Sequence, residues 1–293
     1  MKYYVKNNAH IMECDVSEFS IELVNKPKKN VGYDNYVNAN FFGNYSEQEE
    51  KFTLPAGHLV ANYNATGKWI KYYCEERGDI VGNKFFFDSS KWELNNQFYN
   101  KNLSTLVVSN GVAEIKQTKS ISKNYDYAVS GVPVMRNGKD VKFYVDIIGE
   151  GYDGSTLYAT KHIFVGMKKN DPKIYIIGYK TSTSNLVYSG EIFKKLSSLG
   201  MYNVIKLDGG GSYYFKANGA VKDMTSENRR INAILKIIPK KEEVTNPNNN
   251  EVSSFAQESW NKAVKKGIIS NDNPKGVVTR EMLIYIEDKL GNL

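Results

Sequence analysis

Residues Leu207-Asp208-Gly209-Gly210-Gly211-Ser212 set an acid, three glycines and a hydroxyl directly behind an apolar run. Val204, Ile205 and Leu207 read as a buried strand, so the glycines fall where that strand ends and the chain must turn. Without Cβ atoms, successive N–H groups can converge on one anion, and the strand-end carboxylate of Asp208 stands beside them. The structural alternative is a tight turn capped by Asp208 with no ligand, and the motif by itself does not separate the two. Ser212 would add a hydroxyl to the same place.

Further candidates lie at a distance in sequence. Arg229 and Arg230 could grip a phosphate, because a guanidinium meets two oxygens at once. Neighbours on a strand face opposite sides, so only one of the two can enter a shared site. Asn38 and Asn40, two apart on an extended segment, share a face and could bond sugar hydroxyls or a phosphate; a network holding the strand end is the alternative. Phe41 and Phe42 read as core. Glu150, Asp153 and Glu191 are spare carboxylates for a second acid or a metal ligand.

The elements that must position these groups are mostly strands. Apolar runs at Leu59–Tyr63, Phe85–Phe87, Leu103–Val108, Val141–Ile148, His162–Met167, Ile174–Tyr179 and Ile231–Ile238 predict strands. One helix is predicted from about Gly190 to Leu199, with Ile192, Phe193, Leu196 and Leu199 on one face and Gly200 as its stop. The fold class is therefore α+β, a strand-rich mixed-sheet domain with few helices, followed by a small C-terminal helical module. Residues 1–238 form the main domain. Residues 239–253, polar with two prolines and an Asn run, read as a linker, and residues 254–293 as the module. In that module Ser254 and Gln257 make a capping-box pattern, and a second helix starts at Thr279.

Composition narrows the function. The net charge is +7, and that excess lies wholly before Pro239, which favours an anionic partner. No Lys/Arg run is long enough for a nucleic-acid arm, and no window approaches the length of a membrane span, so neither nucleic acid nor membrane is expected as a partner. Two cysteines cannot build a disulfide framework, and three histidines exclude a His-rich metal centre. No cofactor is certain; a divalent cation at Asp208 stays open, with one carboxylate as thin support. The N-terminal residues lack a signal-peptide pattern, so synthesis in the cytoplasm and action at a bacterial wall by another route are expected.

Four segments, Tyr36–Gly43 (YVNANFFG), Ala128–Lys139 (AVSGVPVMRNGK), Lys161–Met167 (KHIFVGM) and the helix with KLDGGGS followed by NRRINAILKI, resemble the phosphodiester glycosidase family in order and spacing. The resemblance covers roughly residues 30–238. It implies hydrolysis between a sugar's anomeric carbon and a phosphodiester oxygen, with N-acetylglucosamine 1-phosphodiesters as the substrate class. In that setting Asp208 activates water or steadies the oxocarbenium-like carbon. Gly209, Gly210, Gly211 and Ser212 donate to the phosphate, with Arg229 or Arg230 gripping it. Where the family commonly carries an Arg before the Gly of its central strand, this chain has Lys161 and His162 ahead of Gly166. His162 could donate to phosphate when protonated or act as an acid near neutral pH, or be a satisfied, partly buried histidine.

The tail, SWNKAVKKGIISNDNPKGVVTREMLIYIEDKL, resembles the S-layer-homology-like segment of clostridial and phage wall hydrolases. That implies attachment to a wall glycopolymer; a helical hairpin forming a homodimer is the alternative. Together the readings point to a hydrolase of a sugar 1-phosphodiester in a phosphate-containing wall or capsule glycopolymer, such as a teichoic-acid-like chain, and to a phage lysis or virion enzyme. The rivals are a non-catalytic carbohydrate-binding or virion structural protein that keeps the fold, and a nucleotide or nucleic-acid phosphodiesterase.

Overall fold

Period-two alternation places one set of side chains of each strand inward and the other outward, and two sheets close over the inward set. The computed structural model describes residues 1–47, 50–63, 78–91, 97–152, 161–181, 191–240, 261–262 and 265–266. The first sheet runs β1 (Lys2–Lys6), β2 (Ala9–Cys14), β16 (Ile174–Lys180), β15 (Lys161–Met167), β17 (Asn203–Leu207), β13 (Val132–Arg136) and β14 (Lys139–Asp140). The second runs β11 (Val112–Thr118), β10 (Leu103–Ser109), β12 (Tyr127–Ser130), β7 (Leu59–Tyr63), β3 (Phe19–Pro27), β20 (Arg230–Ile237), β4 (Tyr36–Asn38), β18 (Tyr214–Ala217) and β19 (Ala220–Met224). β9 (Lys84–Phe87) adds to β7, with β8 (Asp79–Val81) beyond it, and β5 (Phe42–Glu47) pairs with β6 (Glu50–Pro55) as a hairpin. β3 and β7 are parallel, which makes the second sheet mixed.

Ile163, Val165, Ile205 and Leu207 from the first sheet share one core with Leu23, Val37, Leu106, Val129 and Leu235 from the second. The outer face of the first sheet, through Val134, Phe164, Ile177 and Val204, is covered by α1 (Glu191–Ser198), which lays down Ile192 and Leu196. Lys206 and His162 share the parity of Val204 and Phe164, so both belong to that outer face. The chain passes from the second sheet to the first at Gly131, between β12 and β13. A Cβ there would stand 2.5 Å from the Lys206 carbonyl oxygen, so only glycine lets the crossing lie against β17.

The strand predicted over Val141–Ile148 is instead a π-helical turn, Phe143–Ile147. The reason is local. The Lys142 amide donates to Asp146 Oδ2 at 2.6 Å, and the Asp146 amide donates back to the Lys142 carbonyl at 2.8 Å. Asp146 and Glu150, four apart, then bind the same Arg136 guanidinium. Glu150 also accepts from the Ser104 amide at 2.6 Å, the Ser104 hydroxyl at 2.9 Å and Gln117 Nε2 at 3.0 Å, so it is engaged in a buried structural network. Burial pushes its carboxyl up to about 6, against the pull of those donors and Arg136. A group raised in the fold contributes stability below its ordinary value that is lost as pH rises through the folded one. Glu150→Gln is therefore expected to flatten the pH dependence of urea unfolding between about 4.5 and about 6, by on the order of 2 kcal/mol.

The contacts divide the chain into two units, Met1–Pro239 and Lys240–Leu293. Most of the expected linker and both tail helices fall outside the described residues, apart from a helical piece at 261–262 and 265. Asp153 also falls outside them. Among the described residues no helix is long and apolar enough to cross a membrane.

Candidate active site

β17 ends at Leu207, and the next residue is sewn to the other sheet. The Asp208 amide donates to the Ala39 carbonyl at 3.1 Å, and Asn38 Nδ2 donates to the Asp208 carbonyl at 2.6 Å. Asn38 Oδ1 accepts the Tyr214 amide at 3.0 Å. Asn38 is thus the rivet joining β17, β4 and β18, with both ends of its amide engaged. Asn40 donates to the Phe41 carbonyl at 2.7 Å, while its buried Oδ1 makes no hydrogen bond among the described residues. The two asparagines act on backbone at the corner where the sheets meet.

At that corner the glycines turn. The Gly209 amide donates to Asp208 Oδ1 at 2.8 Å, so this amide serves the carboxylate and is not left for a ligand. Ser212 and Tyr213 donate to the Gly209 and Gly210 carbonyls at 3.1 and 3.0 Å, closing a 3-10 turn over Gly210–Ser212. The amides of Gly210 and Gly211 make no hydrogen bond among the described residues and stand at the open, N-terminal end of that turn. Gly210 has φ +54°, the left-handed region that glycine enters without penalty. A Cβ on Gly209 would lie 2.4 Å from the Lys161 carbonyl oxygen, which is backbone and cannot move aside. Gly209→Ala is expected to destabilise the domain by about 1–3 kcal/mol, read as a lowered urea midpoint, as overpacking does.

Asp208 retains some solvent exposure, yet enough protein surrounds it that desolvation raises its carboxyl above the ordinary range. The Ser212 hydroxyl, Lys206, the Gly209 amide and Arg229 each pull the other way. Ser212 is fully buried, and its Oγ makes no hydrogen bond among the described residues, so it does not line an open phosphate pocket.

Arg229 and Arg230 separate, Arg229 standing just ahead of the strand. Arg230, the first residue of β20, donates to the Asn25 carbonyl, away from the turn. Arg229 and Glu227 both lie across Gly211: a Cβ on that glycine would be 2.5 Å from Glu227 Oε2 and 2.8 Å from Arg229 Nη2. The Arg229 side chain is 44% exposed and pairs with Glu227 at 3.1 Å, so the guanidinium can reach an arriving anion from solvent. Of the two arginines, Arg229 is the one at the site.

Ile163 pairs with Leu207, the last residue of β17, so His162 stands beside the start of the glycine turn, its Cα 3.4 Å from where a Gly209 Cβ would lie. The imidazole is buried, stacks on Phe164 and places Nε2 3.2 Å from Thr181 Oγ1. Its ring is thus tied to the β16 side of the corner. The preceding Lys161 extends to the opposite face, binding Asp223 and the Met224 carbonyl. Glu191 accepts from the Tyr179 hydroxyl at 2.9 Å on α1.

Lys206 is a further ionisable group at this corner. It lies two residues before Asp208 and is 1% exposed, with Nζ 4.5 Å above the Phe41 ring and 3.3 Å from the Leu207 carbonyl. Burial lowers its ammonium to about 8, while the Asp208 charge holds it up. The signal in the sequence was a lone charge inside the apolar run Val204–Leu207. Among the described residues no group of three His, Cys, Asp or Glu could hold a metal ion.

The sheet corner thus brings together the Asp208 carboxylate, the Gly210 and Gly211 amides and the Arg229–Glu227 pair. Residues 33–238 match the family model described as phosphodiester glycosidase, and the chain belongs to that family. The match stops short of the tail. No curated protein matches the sequence. Among solved structures, the chain is similar to the catalytic domain of zebrafish N-acetylglucosamine-1-phosphodiester alpha-N-acetylglucosaminidase, auto-inhibited by its pro-peptide. That likeness has 16% identity and a TM-score of 0.53 over 82% of this chain and 81% of that one. A hypothetical protein from Synechocystis aligns at 12% identity with a TM-score of 0.46, over 80% of this chain and 61% of that one. At 16% identity the likeness to the zebrafish domain is one of fold.

Proposed function

We propose that the protein hydrolyses the bond between the anomeric carbon of a sugar, N-acetylglucosamine or a close relative, and a phosphodiester oxygen in a bacterial wall or capsule glycopolymer. The supporting observation is the juxtaposition of Asp208 with the Gly210 and Gly211 amides and Arg229. An ordinary glycosidase needs an acid to protonate an alkoxide and a second carboxylate on the other side of the bond. A phosphodiester leaves as a stable anion, so the need shifts to donors and a cation that receive it, with one carboxylate at the carbon. Asp208 then activates water or steadies the positive carbon, and the amides with Arg229 take the departing phosphate. The excess of +7 before Pro239 draws the domain toward a polyanion. The tail anchors it to the wall, as in a phage lysis or virion enzyme.

Incubation with purified teichoic-acid-like polymer and with an aryl diester of N-acetylglucosamine 1-phosphate should release reducing sugar. Binding of the polymer without release, at every pH and with divalent metals added, would replace hydrolysis by the carbohydrate-binding reading.

A further inference from the structure

Lys28 follows β3 and is wholly buried, which for a lysine calls for a full set of acceptors. Its ammonium donates to the Gly211 carbonyl at 2.6 Å, the Tyr213 carbonyl at 3.2 Å and Thr225 Oγ1 at 2.5 Å. The Thr225 hydroxyl donates to the same Gly211 carbonyl at 2.9 Å. These carbonyls lie at the C-terminal end of the glycine turn, where a cation complements the aligned peptide dipoles. The two available amides, of Gly210 and Gly211, lie at the other end. The main chain of Lys28 holds the second anion-gripping element: its amide donates to the Arg229 carbonyl at 3.0 Å, and its own carbonyl accepts the buried Tyr36 hydroxyl at 2.7 Å. Burial lowers the ammonium to about 8, opposed by Glu227, so it remains charged at neutral pH.

The geometry points to Lys28 as a positioning residue that fixes the glycine turn and Arg229 relative to one another, so that both donors meet one phosphate. It touches no substrate. This inference rests on the reading that the turn and Arg229 face the phosphate.

The test measures binding of inorganic phosphate by calorimetry, turnover of the N-acetylglucosamine 1-phosphate aryl diester, and thermal melting, for wild type, Lys28→Met and Thr225→Val. Lys28→Met is expected to weaken phosphate binding about tenfold or more and to lower kcat by a comparable factor. Thr225→Val, which takes one acceptor from the buried ammonium and keeps the other two, is expected to weaken phosphate by about two- to fivefold and to lower melting less than Lys28→Met does. Folded Lys28→Met that binds phosphate as wild type does would overturn the inference, and if that variant does not fold, unchanged binding by Thr225→Val does so. Wild type that cleaves the diester while both folded variants match it would defeat the role of Lys28 and leave the reaction standing. Wild type that binds phosphate in a Lys28-dependent way but cleaves nothing would support the positioning role and defeat the reaction. Wild type that does neither would defeat both.

Discussion

Asp208→Asn is expected to lower turnover of a sugar 1-phosphodiester by on the order of 10³-fold while the protein keeps its fold, because it removes the carboxylate at the start of the glycine turn and little else, the Glu227 carboxylate being paired with Arg229. Asparagine matches aspartate in shape and can still accept the Gly209 amide, so the turn survives. The carboxylate is desolvated, and its replacement by a neutral group leaves thermal melting the same or higher. The sign of the pH dependence follows from the same facts. If the ionised form works, activity falls as pH drops through a value raised above the usual aspartate range, and that acid limb vanishes from the residual activity of the variant. Reducing-sugar release against pH, beside a melting curve, gives both readouts. A variant within about tenfold of wild type would remove Asp208 from the reaction.

Arg229→Met and Arg230→Met, adjacent in sequence, are expected to differ sharply. Arg229 lies over Gly211, 44% exposed, and its loss takes away the cation proposed to receive the leaving phosphate. A decrease of about 10²–10³-fold in kcat/KM is expected, on the scale of removing one preorganised donor. Arg230 faces the other way and holds the Asn25 carbonyl, so its replacement should leave kcat/KM within about threefold and show mainly as a small loss of stability. Steady-state kinetics on one diester compares the pair directly. Equal losses from both variants would mean that the anion does not sit over Gly211.

Much of this arrangement was legible in the sequence. The apolar runs at Leu59–Tyr63, His162–Met167 and Ile174–Tyr179 are strands within a residue of their expected bounds, and α1 occupies Glu191–Ser198. Those segments are long, buried and strongly periodic. The short hairpins were not read, although Asn110-Gly111, Asn137-Gly138 and Asn218-Gly219 carry the signal: each pair has positive φ at both residues, the tight turn that joins twisted strands. Val141–Ile148 misled because an apolar run has no period of its own, and a single Asp–Arg–Glu contact coiled it.

At the site, alternation stated that one arginine must turn away but could not say which. That depended on the residue at which β20 begins to pair with β3, where Arg230 meets Pro27. Nor could local sequence show that the Gly209 amide serves Asp208, or that Ser212 is fully buried. Lys28 lies 183 residues from the Gly211 carbonyl that it holds, so its part belongs to the tertiary structure alone.

Hydrolysis of the diester in oxygen-18 water, with both products analysed by mass spectrometry, tests most directly whether the bond from carbon to oxygen is the one that breaks. The label is expected in the anomeric hydroxyl of the released sugar, with the phosphate product unlabelled. Label in the phosphate would place the attack at phosphorus, as in a phosphodiesterase, and would contradict the roles given to Asp208, Arg229 and the glycine turn together.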